Sequence, residues 1–160
     1  MVNTMVEFKA NISDPKTGKT YKTVVAGHHA NSLIGKGIGD EFDGIFVGLP
    51  GYKLFLTGGS DKEGFPMRRD LSGTGRRKIM IAKSSGFRAK LKQKKKKPVN
   101  TEAGRFPMMH GVRKRKSVRG NTISAEIIQI NMRITSYGPK EISEMLKIKE
   151  EQQKAKEQKK

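Results

Sequence analysis

Thr122-Ile123-Ser124-Ala125-Glu126-Ile127-Ile128-Gln129-Ile130-Asn131-Met132-Arg133-Ile134-Thr135 is the longest β-forming run in the chain. Its apolar residues alternate with polar ones, but the parity of the alternation changes midway. Ile123, Ala125 and Ile127 hold odd positions, whereas Ile128, Ile130, Met132 and Ile134 hold even ones. Successive strand side chains point to opposite faces, so the change at Ile127–Ile128 demands a bulge, or a strand that moves from one sheet face to the other. Such a strand needs neighbours with one apolar face. Val6–Ile12 supplies one, alternating as Val-Glu-Phe-Lys-Ala-Asn-Ile. The turn formers Ser13-Asp14-Pro15-Lys16-Thr17-Gly18 and the β-rich Thr20–Ala26 follow, so the two runs read as a hairpin.

Further short strands are predicted at Gly44–Gly48, Tyr52–Thr57 and Lys78–Lys83. His29–Ile34 reads as a short helix, stopped by Gly35, Gly37 and Gly39. Eighteen glycines punctuating short strands predict a mainly β fold, a compact β-barrel-like domain or a sandwich. Pro139 is suited to open a helix, since the first helical residue needs no backbone donor. Ile142, Met145, Leu146 and Lys149 share one helical face, so the first two turns are expected to dock. The expected organisation is a domain over 1–137, with a basic loop at 84–112, and a C-terminal helix and charged tail over 138–160. Past Glu150 no apolar stripe remains, and that part is expected to be frayed or disordered when alone.

The 160 residues hold 34 Lys and Arg against 15 Asp and Glu, a net charge of +19, and 34% are hydrophobic. That share lies below the roughly 45–50% of ordinary domains, so the core is modest. Residues 1–67 balance seven bases with seven acids. Residues 68–119 hold nineteen bases against Asp70 and Glu102, a net of +17, and residues 120–160 hold eight against six. A neutral scaffold therefore carries one concentrated basic segment, the footprint of polyanion binding. No window approaches the roughly 18 apolar residues of a membrane span, and no signal-peptide core opens the sequence. A soluble intracellular protein without membrane partners is the simplest expectation. Absence of cysteine excludes disulfides, thiolate zinc sites and cysteine nucleophiles.

The predicted RNA-binding residues are Arg68, Arg69, Arg76, Arg77, Lys78, Arg88, Lys90, Lys92, Lys94, Lys95, Arg113, Lys114, Arg115, Lys116, Ser117 and Arg119. From Arg88 to Lys97 seven of ten residues are cationic. They repel one another, and suit either an extended arm laid on phosphates or a solvated loop or localisation signal. Arg113–Arg119 instead leads straight into the long strand, which fixes its charges on the scaffold. Ser117 suits a phosphate contact, although its basic context also suits a kinase. A loop of Gly58, Gly59, Lys62, Gly64, Phe65, Pro66 and Met67 is expected to face RNA. Gly58-Gly59 would allow positive φ and close approach of a ligand, and Phe65 either stacks on an unpaired base or fills the barrel mouth with Met67.

Catalysis finds little footing. Gly35-Lys36 is followed by Gly37, where a phosphate loop needs Ser or Thr for magnesium. His28, His29 and His110, without cysteine, make a poor zinc set. Asp40, Glu41 and Asp43, or Asp61 and Glu63, could hold magnesium in a nuclease, but short acidic turns more often bond to their own backbone. No enzyme activity, cofactor, metal or small-molecule substrate is predicted.

Gly-Gly-Ser-Asp-Lys-Glu-Gly-Phe-Pro-Met at 58–67 and Arg-Lys-Arg-Lys-Ser-Val-Arg-Gly-Asn-Thr-Ile-Ser at 113–124 resemble small-subunit ribosomal protein six of the archaeal and eukaryotic type. Ile-Ser-Asp-Pro-Lys-Thr-Gly-Lys at 12–19 and Gly-Leu-Pro-Gly-Tyr-Lys-Leu at 48–54 are similar to its short archaeal members. The likeness spans roughly residues 6 to 135 in order. It implies a β-barrel-like domain with a C-terminal helix, bound to small-subunit ribosomal RNA and neighbouring ribosomal proteins in the cytoplasmic ribosome, and without enzymatic activity. Leu91–Met109 departs from the family by its length and its lysines, and Arg-Phe-Pro-Met at 105–108 echoes Gly-Phe-Pro-Met at 64–67.

Overall fold

The computed structural model describes residues 6–88, 112–142, 145 and 146. β1 (Glu7–Ser13) and β2 (Thr20–Ala26) form the expected hairpin, with Phe8 opposite Val25 and Ile12 opposite Tyr21. Asp14 closes its turn, accepting from the Lys16 N–H at 2.9 Å, the Thr17 hydroxyl at 2.7 Å and the Tyr137 hydroxyl at 2.6 Å. A short helix, α1 (His28–Leu33), then buries Ala30 and Leu33. It is followed by β3 (Glu41–Asp43), β4 (Lys53–Asp61), β5 (Arg76–Ile81), β6 (Lys114–Arg119) and β7 (Ile127–Ser136).

Five strands make one sheet in the order β2-β1-β7-β4-β3, while β5 and β6 pair separately. β7 is central, parallel to β1 and antiparallel to β4. The β4–β7 register slips at three points. One slip leaves Ile128 unopposed between the pairs Ser60–Gln129 and Asp61–Ile127, which is the bulge that the parity change required. Bulges bend a strand and increase its twist, so the sheet curls into a half-barrel. Phe8, Ile12, Leu54, Leu56, Ile130 and Met132 are fully buried in its core. The outward positions are mostly polar, as one-sided burial of a sheet favours, with Val24 and Phe55 as exceptions.

Several expectations need correction. β2 and β3 end the strand order, so the sheet is an open half-barrel rather than a closed one. Gly44–Gly48 is no strand: Gly44–Val47 forms a 3-10 turn. The chain doubles back there so tightly that a Cβ on Gly44 would lie 2.4 Å from the Leu49 carbonyl oxygen. Thr122–Glu126 lies outside β7, with Ile123 hydrogen-bonded through both its N–H and its C=O to the 35–36 segment. Gly58-Gly59 belongs to β4 rather than to a loop, and neither glycine has positive φ. The close approach at Gly59 is to the protein itself, since a Cβ there would fall 2.5 Å from the Gln129 carbonyl oxygen. β3 and β6 had not been foreseen.

The C-terminal helix is not among the elements of the described residues. Ile142 and Leu146 are buried on the core, and the Met145 N–H bonds to the Glu141 carbonyl at 3.3 Å. Tyr52 anchors this segment by donating its hydroxyl to the Lys140 carbonyl at 2.6 Å. Residues 143, 144 and 147–160, including Lys149, fall outside the described residues, as do residues 89–111 of the basic loop with Lys90, Lys92, Lys94, Lys95 and His110.

Candidate nucleic-acid interface

The two basic motifs, separate in the sequence, form one antiparallel ribbon. Arg76 lies opposite Arg119, Lys78 opposite Ser117 and Met80 opposite Arg115 on one face. Arg77 opposite Val118, Ile79 opposite Lys116 and Ile81 opposite Lys114 make the other. Ile81 and Val118 are buried. The Ser84–Phe87 turn covers them, and a Cβ on Gly86 would come within 3.0 Å of Val118 and 3.2 Å of Pro66. On the opposite face Lys78, Arg115 and Met80, the last at 63%, are exposed, whereas Ser117 is half-buried and Arg119 is buried.

A buried charge cluster clasps the ribbon to the sheet. Asp61, at the end of β4, has a side chain only 1% exposed. Its Oδ1 accepts from the backbone N–H groups of Phe65 at 2.8 Å and Glu63 at 3.0 Å. Its Oδ2 accepts from Arg76 at 2.8 Å and from Arg119 Nε at 3.0 Å. Arg119, itself buried, further donates to the Thr74 carbonyl at 3.0 Å, to Ser124 at 3.3 Å and to Glu126. Arg76 also pairs with Glu63 at 2.6 Å and lies 4.5 Å from the centroid of the Phe65 ring. Burial works to raise the Asp61 pKa, but the Phe65 N–H and the two guanidiniums outweigh it and hold the carboxyl below its ordinary range.

This cluster bears on the two chemistries considered for Asp61 and Glu63. A carboxylate with four donors on its two oxygens has little capacity left for a metal ion. Asp40 similarly accepts the Gly37 N–H at 2.6 Å, and among the described residues no group of three or more acids or histidines gathers as metal ligands.

The predicted site residues thus divide. Arg68 is held by a two-pronged pair with Asp70 at 2.8 and 2.7 Å, and donates to Ser84 Oγ and the Ser85 carbonyl at 2.9 Å each. Arg68, Arg76 and Arg119 are therefore committed within the protein. Arg69, Arg77, Lys78, Arg88, Arg113, Lys114 and Arg115 are exposed and Lys116 and Ser117 half-buried. In the 58–67 segment, Met67 is buried in the core, Phe65 and Pro66 are half-buried, and Lys62 and Gly64 are exposed. Ser124, Glu126 and Thr74, which complete the cluster, had not been singled out in the sequence. No local signal marked them, because Arg119 meets Thr74, Ser124 and Glu126 only once the ribbon is paired and docked on the sheet.

A neutral half-barrel presenting an exposed cationic ribbon, its buried acid saturated by arginines, makes a charge-presenting structural protein. The chain belongs to the ribosomal protein S6e family, whose pattern it matches over residues 8–103 and 90–147. It is thus a ribosomal protein and not an enzyme. It is 46% identical to small ribosomal subunit protein eS6 of Archaeoglobus fulgidus, over 91% of this chain and 100% of that one. The eS6 proteins of Methanocella arvoryzae and Thermoplasma acidophilum are 43% and 44% identical, over 93% and 84% of this chain and 92% and 94% of theirs. The two matched stretches overlap at 90–103, largely within 91–109, the segment expected to depart from the family.

Proposed function

We propose that the protein is a structural constituent of the small ribosomal subunit that binds and stabilises its ribosomal RNA. The observation that carries this is the pairing of the two basic motifs into one ribbon fixed to the sheet. Pairing concentrates Arg77, Lys78, Arg113, Lys114, Arg115 and Lys116 on a rigid support, with Ser117 beside them and Arg69 and Arg88 nearby in sequence. Pre-placed cations gain phosphate contacts without losing the ordering entropy that a loose tail must lose. Lys90, Lys92, Lys94 and Lys95 belong to the segment between Ile81 and Lys114, which are paired at one end of the ribbon, and their charges would add to its footprint. Arg68, Arg76 and Arg119 keep the ribbon in place instead of meeting phosphates. Membership in the subunit also implies neighbouring ribosomal proteins as partners and a cytoplasmic, ribosome-bound location.

Neutralising Arg113, Lys114, Arg115 and Lys116 together should lower the salt slope of ribosomal RNA binding by about three, because each phosphate contact contributes roughly 0.7–0.9. An unchanged slope would show that these charges point elsewhere. The unaltered protein should sediment with small subunits through a high-salt wash; release would mark a loosely associated factor.

A further inference from the structure

Outside the ribbon, the outward face of the sheet carries one aromatic residue where its neighbours are polar. Phe55 follows Leu54 and precedes Leu56, both fully buried, and so points away from the core. Across the strands it stands between Glu41 of β3 and Arg133 of β7, and the Arg133 guanidinium lies 5.5 Å from its ring centroid. The ring opens onto a cleft of about 510 Å³, lined also by Ile38, Thr57, Arg68, Arg69 and Ser84. That volume falls within the range of small-ligand sites, roughly 300–1,000 Å³.

The cleft joins an apolar floor to a cationic wall. Ile38, Phe55 and the edge of Met67 supply the floor. The bonds from Arg68 to Asp70, Ser84 and Ser85 fix one wall before any ligand arrives. Arg69 is exposed, its guanidinium resting 3.7 Å from where a Cβ on Gly39 would be. The cleft also adjoins the foot of the ribbon, since the Arg68 N–H bonds to the Arg119 carbonyl at 3.0 Å.

We propose that this cleft receives one unpaired base of single-stranded RNA, stacked on Phe55, with Arg69 and Arg133 on the flanking phosphates. An aromatic floor accepts the flat face of any base, and cations at its edge match the phosphates that flank it. Three arginines, Arg68, Arg69 and Arg133, against two acids, Asp70 and Glu41, leave the site net cationic and favour a nucleotide over the aromatic side chain of a neighbouring protein. The inference rests on the ribosomal RNA reading and adds a second contact to it. The ribbon holds phosphates whatever their base, whereas the cleft holds a base only where the strand is open.

The test uses the full chain, a labelled oligouridine and a labelled blunt RNA duplex, measured by fluorescence anisotropy. Phe55→Ala and Phe55→Leu should each weaken oligouridine binding about tenfold, the loss of roughly one stacked base. Duplex affinity and salt slope should stay at their unaltered values, and Phe55→Trp should retain oligouridine binding. Phe55→Leu keeps apolar bulk at the site, so a loss it shares with Phe55→Ala reports on the ring. Oligouridine binding left intact by Phe55→Leu, or duplex binding weakened equally, overturns the proposal. So does intact RNA binding combined with loss of incorporation into small subunits, which would point to a protein side chain as the occupant. If the unaltered chain binds neither RNA, the ribosomal RNA reading fails along with it.

Discussion

At Asp61 magnitudes decide which of several ion pairs matters. Glu63 and Glu126 are 61% and 72% exposed, and such exposed partners contribute about 0–1 kcal/mol. Asp61 and Arg119 are 1% and 4% exposed, and removing one member of a buried pair leaves the other charge uncompensated, at a cost of roughly 3–5 kcal/mol. Asp61→Asn keeps an acceptor for the two backbone N–H groups. It should therefore destabilise the protein by about 3 kcal/mol, the lower end of that range, seen as a lower urea midpoint. Its pH dependence has a defined sign. A carboxyl whose folded pKa lies below its unfolded value of about 3.9 takes up a proton more readily when unfolded. The Asp61 contribution is thus complete above about pH 5 and is lost as pH falls through the lowered folded pKa. Between about pH 5 and pH 3 the unaltered protein should lose stability more steeply than Asp61→Asn. Asp14, also lowered, chiefly by the Tyr137 hydroxyl, leaves a residual slope in both. Parallel curves would show that Asp61 does not titrate with folding. Nothing in Gly-Ser-Asp-Lys-Glu-Gly announces a buried acid, because saturation by Arg76 and Arg119 depends on partners 15 and 58 residues away.

At the scale of elements, the sequence showed some strands and concealed others for one reason. β1, β2 and much of β4 and β7 have one apolar face, so their alternation was visible. β6 is Lys-Arg-Lys-Ser-Val-Arg, in which five polar residues surround one apolar side chain, and it reads as a charged run. What makes it a strand is pairing with β5, a contact beyond any local pattern. Two-stranded ribbons are marginal alone, so this one depends on the clasp at Asp61 and on the small apolar strip of Ile81 and Val118. Val118→Ala should therefore raise amide exchange across β5 and β6 while β1 and β7 retain their protection, because the main core lacks Val118. Uniform acceleration throughout the sheet would mean that the ribbon and half-barrel open together. The same variant should weaken RNA binding without changing its salt slope, since no charge is removed.

For the whole molecule, the position of β7 matters more than its length. Among the described residues it is the last strand in sequence and the middle one in the sheet, where it joins the β1–β2 hairpin to the β3–β4 pair. Its contacts reach across the chain, Asn11 bonding Asn131 at 3.0 Å over 120 residues. That is why the hairpin was legible from Val6–Ala26 alone while the half-barrel was not: strand order is set by which apolar faces meet, and the bulge at Ile128 gave curvature without naming a neighbour. The residues before Asn121 therefore lack the strand that joins the β1–β2 hairpin and the β3–β4 pair into one sheet. A fragment ending at Gly120 keeps the β1–β2 and β3–β4 pairings and both ribbon strands but loses Ile123, Ile127, Ile130, Met132 and Ile134, with Ile142 and Leu146, from the core. Its hairpins would bury one face against nothing, and a net charge concentrated in residues 68–119 would oppose collapse. Such a fragment should show no cooperative thermal transition and should expose apolar surface to a hydrophobic dye, whereas the full chain melts as one unit. A sharp transition in the fragment would show that the sheet can close without its central strand, and that β7 completes the half-barrel without organising it.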